Sequence, residues 1–513
     1  MLQAEAYAHP VSHCQLIQTH ISWVILTGEF VYKIKKPVNL GFLDFSTLEK
    51  RCFFCKEELR LNSRLAPDLY LDVMDIRGNP EHPALNGDGE LIECAVKMKQ
   101  FAQEDQLDSV LERGELKLTD IDSIALMIAN FHQHIDSAGS KTHFGNPESV
   151  CSPIADNFSH SRQHINDNAQ LKMLAKIETW SANACTTLRE TLTARKNGGF
   201  IRECHGDLHL RNLAWINNAP LAFDCLEFNP DLRWIDIISE IAFLAMDLED
   251  HHQTQMAHRF VNAYLEHSGD YAGIRVLRFY KVYRAMVRAK VDAISAGQAD
   301  INSQEQHAAL ESVGTYLRLA QSYIHMGMPK LIITRGLSAS GKSTISQHLL
   351  EHLGAIRIRS DIERKRLFNL QATQSGGNDI EKGIYSNDAT QATYTKLATL
   401  AKLIVDAGYT VIVDAANLEF EKREAFQQLA TQLQVPYLIL NFTATPDTLR
   451  QRIVDRKNDA SDANLKVLEH QLRHYQDLLG HEYPSTIIID TEKNEPLASI
   501  LNQIEQIAIK QVK

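Results

Sequence analysis

Gly336-Leu-Ser-Ala-Ser-Gly341-Lys342-Ser343-Thr344 fits G-x-x-x-x-G-K-[ST]. It follows the apolar run Leu331-Ile-Ile-Thr334 and opens a helical period, which is the context a phosphate-binding loop needs. Glycines let successive backbone N–H groups curl around phosphate oxygens, and the helix N-terminus adds partial positive charge. Gly336, Ser338, Ala339, Ser340, Gly341 and Thr344 are therefore expected to cradle the phosphates of ATP. Lys342 would reach the β and γ phosphates, and Ser343 would offer a hydroxyl to Mg²⁺. Two carboxylates stand where strands should end. Asp361, after the run 355–359, could serve as base toward an acceptor hydroxyl, or cap the next helix. Asp414, ending Thr410-Val-Ile-Val413, suits Mg²⁺ or its water shell. Farther on, Arg450, Arg452 and Arg456 precede the polar stretch 458–463. They fit a lid that neutralises charge in phosphoryl transfer, Arg456 foremost, or a solvated helix face paired with acids.

A second constellation lies upstream. His205-Gly206-Asp207-Leu-His209-Leu-Arg211-Asn212 contains H-x-D-x-x-x-x-N, and twelve positions later (224 − 212 = 12) the run Leu221-Ala-Phe223 ends in Asp224. In a protein-kinase-like site one Asp orients the acceptor hydroxyl, an Asn five residues on holds Mg²⁺, and a strand-end Asp holds the rest of the metal shell. Asp207, Asn212 and Asp224 fill those places. Such a site also needs a strand lysine and a helix glutamate. Val31, Lys33 and Lys35 share one face of a strand by its period of two. Lys33 is the expected phosphate lysine, with Lys35 its rival. Glu58, on the helix after Ser46-Thr47, is the expected ion-pair partner, and Ala95-Val-Lys-Met98 the stretch receiving adenine at Met98.

These residues require two kinds of scaffold. In the C-terminal part, apolar runs at 330–335, 355–359, 410–414, 436–443 and 486–490 alternate with amphipathic segments, which predicts βα units and a mainly parallel sheet. In the N-terminal part, strand-like runs crowd 14–36 and 69–101 around one helix, and helices dominate from about 103 to 328. The boundary falls near Pro329, and the polar stretch 371–382 reads as a loop. The expected fold class is thus α/β with α+β: a two-lobed protein-kinase-like domain over 1–325 (small lobe 1–101, helical lobe 102–325) and a three-layer α/β/α P-loop domain over 330–513.

Composition limits the function classes. The formal charge of 53 − 64 = −11 argues against bulk nucleic-acid or membrane binding as the main activity. With 44% hydrophobic and 23% charged residues the chain has ordinary globular character. No run approaches 18 apolar residues, and the first residues have neither a basic nor an apolar leader segment, so a cytoplasmic, membrane-free protein is expected. The eight cysteines are expected to be reduced and mostly buried, with the Cys52/Cys55 pair structural. Histidine pairs such as His132/His134 are expected to be solvated, since i,i+2 spacing puts them on different helix faces and no cysteine or carboxylate completes a metal geometry.

The strings SDIERKRLF, VIVDAAN and RKNDASDA resemble the small P-loop kinases of the predicted AAA-type kinase group, relatives of polynucleotide kinases, zeta toxins and gluconate kinases. The likeness covers about 330–511, with Ala339 where those relatives usually carry Gly. HGDLHLRN, AFDCLEF and the lysine strand resemble the aminoglycoside phosphotransferase/choline kinase superfamily. The strings THISWVIL, VYKIKKPVNLGFLDFSTLEKR, LNSRLAPDLY and YRAMVRAKV resemble the bacterial branch in which such a domain is fused to a P-loop kinase. The resemblance implies an ATP- and Mg²⁺-dependent kinase with two nucleotide sites and a small, hydroxyl-bearing acceptor. A regulatory role for one site and a macromolecular acceptor stay open, as does the choice for Arg284, Arg288 and Lys290 between acceptor pocket and helix surface.

Overall fold

The computed structural model describes every residue except 42, 298–301, 326, 371–383, 385, 456–463, 474, 494 and 513. The chain divides into two compact units, Met1–His251 with Val276–Ile324, and His252–Arg275 with His325–Lys513.

The first unit begins with an antiparallel sheet in the order β1-β2-β3-β6-β4-β5. Its strands are β1 (Gln15–Gln18), β2 (Ser22–Leu26), β3 (Phe30–Lys35), β4 (Tyr70–Asn79), β5 (His82–Leu85) and β6 (Leu91–Lys99), with α1 (Leu48–Asn62) between β3 and β4. The apolar run 14–26 splits in two because the Thr19 hydroxyl accepts the Ser22 amide at 2.9 Å and turns the chain. Thr47 caps α1 by accepting from the Lys50 amide. Packing of α1 on β6 brings Cys52 and Cys94 to a Cα separation of 5.2 Å, and they form a disulfide. A second joins Cys151 to Cys185. These pairings replace the expected set of reduced thiols: partners 42 and 34 residues apart are set by packing, which local spacing does not reveal. Cys55 stays free and buried.

Helices follow: α2 (Leu107–Glu112), α3 (Leu118–His134), α4 (Pro147–His164), α5 (Asn168–Thr187) and α6 (Arg189–Asn197). Short strands β7 (Ile201–Glu203), β8 (Leu213–Ile216), β9 (Ala219–Ala222) and β10 (Trp234–Asp236), with α7 (Pro230–Arg233), frame the H-x-D segment, as β7 pairs with β10 and β8 with β9. Helix α8 (Ile237–Asp250), capped by Asp236, is buried along most of its length. The chain then builds α9 (Thr254–Ser268), which belongs to the second unit, and returns through α10 (Ile274–Ala296) and α11 (Ser303–Ile324).

The second unit holds a fully parallel sheet in the order β12-β13-β11-β14-β15. Its strands are β11 (Leu331–Arg335), β12 (Ile356–Arg359), β13 (Val411–Asp414), β14 (Tyr437–Thr443) and β15 (Thr486–Asp490). Helices α12 (Lys342–Leu353), α13 (Ser360–Leu367), α14 (Asn387–Asp406), α15 (Phe420–Leu433), α16 (Pro446–Asp455), α17 (Leu465–Arg473) and α18 (Leu497–Val512) complete it. All five residues of β11 are buried, as expected of a central parallel strand covered on both faces. Ile332, Ile412, Leu438, Leu440, Ile487 and Ile504 form the core. Strand β12 is an edge, and α9 covers it: the Asn262 side-chain oxygen accepts the Arg357 amide at 2.7 Å.

Candidate functional site

In the first unit, β3 aims two lysines at one carboxylate. The Lys33 ammonium lies 2.9 Å from Glu58 and 2.5 Å from Asp224, while Lys35 lies 2.7 Å from the other Glu58 oxygen and also pairs with Glu227. The two lysines that periodicity put on one face differ in their surroundings. Lys35 is 1% exposed and locked between two buried acids, whereas Lys33 reaches Asp224 at the open end of the cluster. Burial opposes the charged forms of Lys33, Lys35, Glu58 and Glu227; pairing prevails at the first three and burial at Glu227. Asp224 and Glu58 hold the Lys33 ammonium well above the usual lysine range. Against burial, Lys33 and Lys35 keep the Glu58 carboxyl at about 2. Burial pushes Glu227 up.

Asp224 takes a left-handed backbone (φ 62°), rare for a side chain bearing a Cβ, and its amide donates to the Tyr70 hydroxyl at 3.1 Å. Asn212 donates through Nδ2 to the Asp207 backbone carbonyl at 2.9 Å and to its carboxylate at 3.1 Å, which brings the two loop residues together. His209 approaches the same carboxylate at 3.3 Å. Burial alone would raise the Asp207 carboxyl, but His209, His205 and Arg284 hold it below the usual range, so it stays ionised. His205 is buried and therefore lowered; its Nε2–H donates to the Phe223 carbonyl at 2.8 Å, which fixes the loop to the residue before Asp224. Met98 lies on β6, buried in an apolar cluster with Val31, Ala214 and Phe223.

Sequence reading missed the groups that brace this loop. Gly206 (φ +90°) donates its amide to Glu240 at 2.7 Å, and its carbonyl accepts from Arg284 at 3.2 Å. Arg284 is thus a buried brace of the loop and not helix-surface charge. Glu240 in turn meets His132 at 2.7 Å, and Cys204 stands close enough that the three ligand atoms lie within 4.8 Å of one another. His132 is therefore buried and paired, contrary to the solvated reading, because a partner 108 residues away on α8 supplies the carboxylate. Leu210 donates to Asp247 at 2.8 Å. None of these partners has a sequence signature.

In the second unit the loop between β11 and α12 has the expected form. Gly336 (φ +154°) admits no Cβ, which would lie 2.8 Å from the Phe442 carbonyl, and Gly341 (φ +87°) caps α12. Ala339 is left-handed (φ 63°), which explains the preference for Gly at this place. Ser340 is buried and Thr344 exposed on α12. Lys342 donates to the carbonyls of Gly336 (3.0 Å) and Leu337 (2.8 Å), and the Ser338 amide donates to Gln471 at 2.8 Å. The Ser343 hydroxyl donates to Asp414 at 2.8 Å, across 71 residues. Asp361 lies in the first turn of α13, where Arg359 and not Asp361 occupies the N-cap position. Arg452 reaches the Ala339 carbonyl at 3.3 Å and the Thr491 hydroxyl at 2.9 Å, while exposed Arg450 pairs with Asp447 and Glu469. Arg456 and the polar stretches 458–463 and 371–382 lie outside the described residues.

Both donor sets fit Mg²⁺. Ser343 with Asp414, and the Asn212 amide oxygen with the Asp224 carboxylate, are hard oxygen donors of the kind that hold this ion beside phosphates.

A family model described as an AAA domain matches residues 331–478. Among solved structures, the chain is similar to a gluconokinase from Sinorhizobium meliloti (18% identity, 36% of this chain and 94% of that one, TM-score 0.26). It is similar also to a choline/ethanolamine kinase family protein from Mesorhizobium loti (10%, 62% and 94%, 0.36) and to an amicoumacin kinase solved with AMP-PNP, Ca²⁺ and its ligand (11%, 62% and 91%, 0.39). Among curated proteins, uncharacterized proteins of Mycobacterium tuberculosis and Mycobacterium bovis are 30% identical over 464 residues, which span 90% of this chain and 90% of each relative. Identity of 30% matched over nine-tenths of each length places the chain in one family with these mycobacterial proteins.

Proposed function

We propose that the protein is an ATP-dependent kinase with two nucleotide sites, one in each unit, transferring the γ-phosphoryl group to hydroxyls of a small polar molecule in the cytoplasm. The observation that carries this reading is the Lys33 ammonium bridging Glu58 and Asp224, two carboxylates from distant parts of the chain. What sets this bridge apart from the enclosed Lys35 pair is that it ends on the part-exposed Asp224, and a lysine between a helix glutamate and a strand-end aspartate is the arrangement that holds phosphates and metal in phosphoryl transfer.

In this reading the domain over 1–325 binds adenine against Met98 and phosphates on Lys33, with Glu58 orienting the lysine. Asp207 receives the acceptor's proton. In the domain over 330–513, the loop amides and Lys342 bind phosphates, Asp361 aligns the acceptor and Arg456 neutralises the transferring group. Mg²⁺, held by Asn212 and Asp224 in one site and Ser343 and Asp414 in the other, supplies charge neutralisation of the phosphates. Catalysis is then positioning and electrostatics.

The test follows labelled γ-phosphate from ATP into a small-molecule extract, comparing wild type with Asp207→Ala and Lys342→Ala. Loss of a different product in each variant, or of successive products on one acceptor, supports two kinases. If only one variant loses product while both sites still bind nucleotide, the silent site is regulatory. Release of free phosphate with no labelled acceptor replaces the kinase with an ATPase.

A further inference from the structure

Strand β12 carries two arginines beside the Ser343–Asp414 pair. Arg359 is the register partner of Asp414 across β12 and β13, and its Nε lies 4.0 Å from the Asp414 carboxylate. Arg357 donates to the Ser343 backbone carbonyl at 2.9 Å and to Gln347 at 2.8 Å. Arg357 and Asp414 are buried, and Arg359 is largely so, so their charges act on one another with little screening. A guanidinium beside the Asp414 carboxylate, with a second on the Ser343 carbonyl, makes a poor place for a dication: both repel it, and Arg359 competes for the ligand it needs.

The carboxylate that offsets them is not in the P-loop core. Glu266, near the end of α9, lies 3.3 Å from Arg359 and 3.7 Å from Arg357, and its backbone carbonyl accepts from Arg366 at 2.5 Å. Glu266 Oε2 is buried and makes no hydrogen bond, so its role toward Arg357 is one of charge and not of a fitted bond. Helix α9 is fixed independently: Asn262 takes the Arg357 amide, His258 meets the Glu351 carbonyl at 2.7 Å, and Arg259 pairs with Glu351 at 2.8 Å. The carboxylate is thus delivered at a set position.

We propose that Glu266 is a positioning residue for the P-loop site: it pairs with Arg357 and Arg359 and offsets their charge, which weakens the hold of Arg359 on Asp414 and leaves Asp414 and Ser343 able to take Mg²⁺. The proposal rests on the reading of this site as one for Mg²⁺ and nucleotide.

Binding of a fluorescent ATP analogue to the full chain, titrated with Mg²⁺, tests it; Lys33→Ala is present throughout so that the second unit is read alone. The reading itself is tested first. If Lys342→Ala leaves Mg²⁺-dependent binding intact, the reading fails before Glu266 is considered. With that binding confirmed, Glu266→Gln should raise the Mg²⁺ concentration for half-saturation on the order of tenfold. It should leave metal-free nucleotide binding tighter or unchanged, since one negative charge near the phosphate site is removed. Adding Arg359→Gln to Glu266→Gln should restore most of the Mg²⁺ response. Thermal melts of each variant report whether α9 stays docked. An unchanged Mg²⁺ midpoint in a folded Glu266→Gln protein overturns the proposal. So does a raised midpoint that Arg359→Gln fails to lower, because the effect would then be structural.

Discussion

At the scale of residues, Lys33 and Lys35 share Glu58 yet should respond differently to substitution. Lys35 is enclosed by Glu58 and Glu227, so Lys35→Met leaves buried carboxylates short of a partner and should cost about 3 kcal/mol in urea unfolding. Lys33→Met keeps Lys35 on Glu58 and removes the group nearest Asp224. It should lower transfer by the first site on the order of a hundredfold with a smaller loss of stability. Equal stability losses in the two variants would refute this division of labour. Glu58 adds a pH test. Its carboxyl is depressed on folding to about 2, so its contribution is present above the ordinary value near 4.5 and is lost as pH falls through 2. Wild type should lose about 2 kcal/mol more than Glu58→Gln between pH 6 and pH 3. These distinctions were half visible in the sequence. The period of two put both lysines on one face, but only packing shows that Glu227, next to an aromatic and far from β3, claims one of them.

Elements set the backbone positions that side chains exploit. Ala339 pays about 1 kcal/mol for its left-handed φ, partly offset by the extra freedom glycine has when unfolded. Ala339→Gly should therefore raise the melting temperature slightly or leave it unchanged, with nucleotide affinity preserved. Gly206→Ala should do the opposite. Its Cβ would stand 2.8 Å from the Leu232 carbonyl, in a loop held by Glu240 and Arg284, and circular dichroism melts together with the first site's transfer rate should both fall. The five parallel strands were legible because each is a short apolar run between amphipathic segments. The phosphate loop was legible because its function constrains consecutive residues. The braces were not: Glu240, Arg284 and Gln471 reach the loops through contacts 34, 78 and 133 residues away in sequence, and such contacts impose no local pattern. Cysteine pairing and the buried state of His132 escaped for the same reason.

At the scale of the whole molecule, the second unit is assembled from two separate stretches of chain. A boundary near Pro329 is what composition shows, because linkers are marked by residue type, whereas α9 reads as one more helix in a helical region. Expression of 325–513 alone should yield a sheet whose β12 edge lacks Asn262 and whose arginines lack Glu266. It should melt well below the second transition of the full chain and aggregate more readily, as measured by scanning calorimetry and light scattering. Retention of the full-chain transition temperature in that fragment would show α9 to be dispensable.

This threading also imposes an order in time. Asn262 and the Arg357 amide that it receives are 95 residues apart, so a ribosome working at 5–20 residues per second exposes α9 roughly five to twenty seconds before its strand exists. Throughout that interval a helix with Ala257, Phe260, Val261 and Leu265 on its buried face waits without a partner. The P-loop unit cannot close until synthesis has passed well beyond the first unit's last helix. The nascent chain thus carries an early half of its second unit as unburied apolar surface, a natural point for chaperone capture, and slowing of translation between residues 268 and 356 would prolong it.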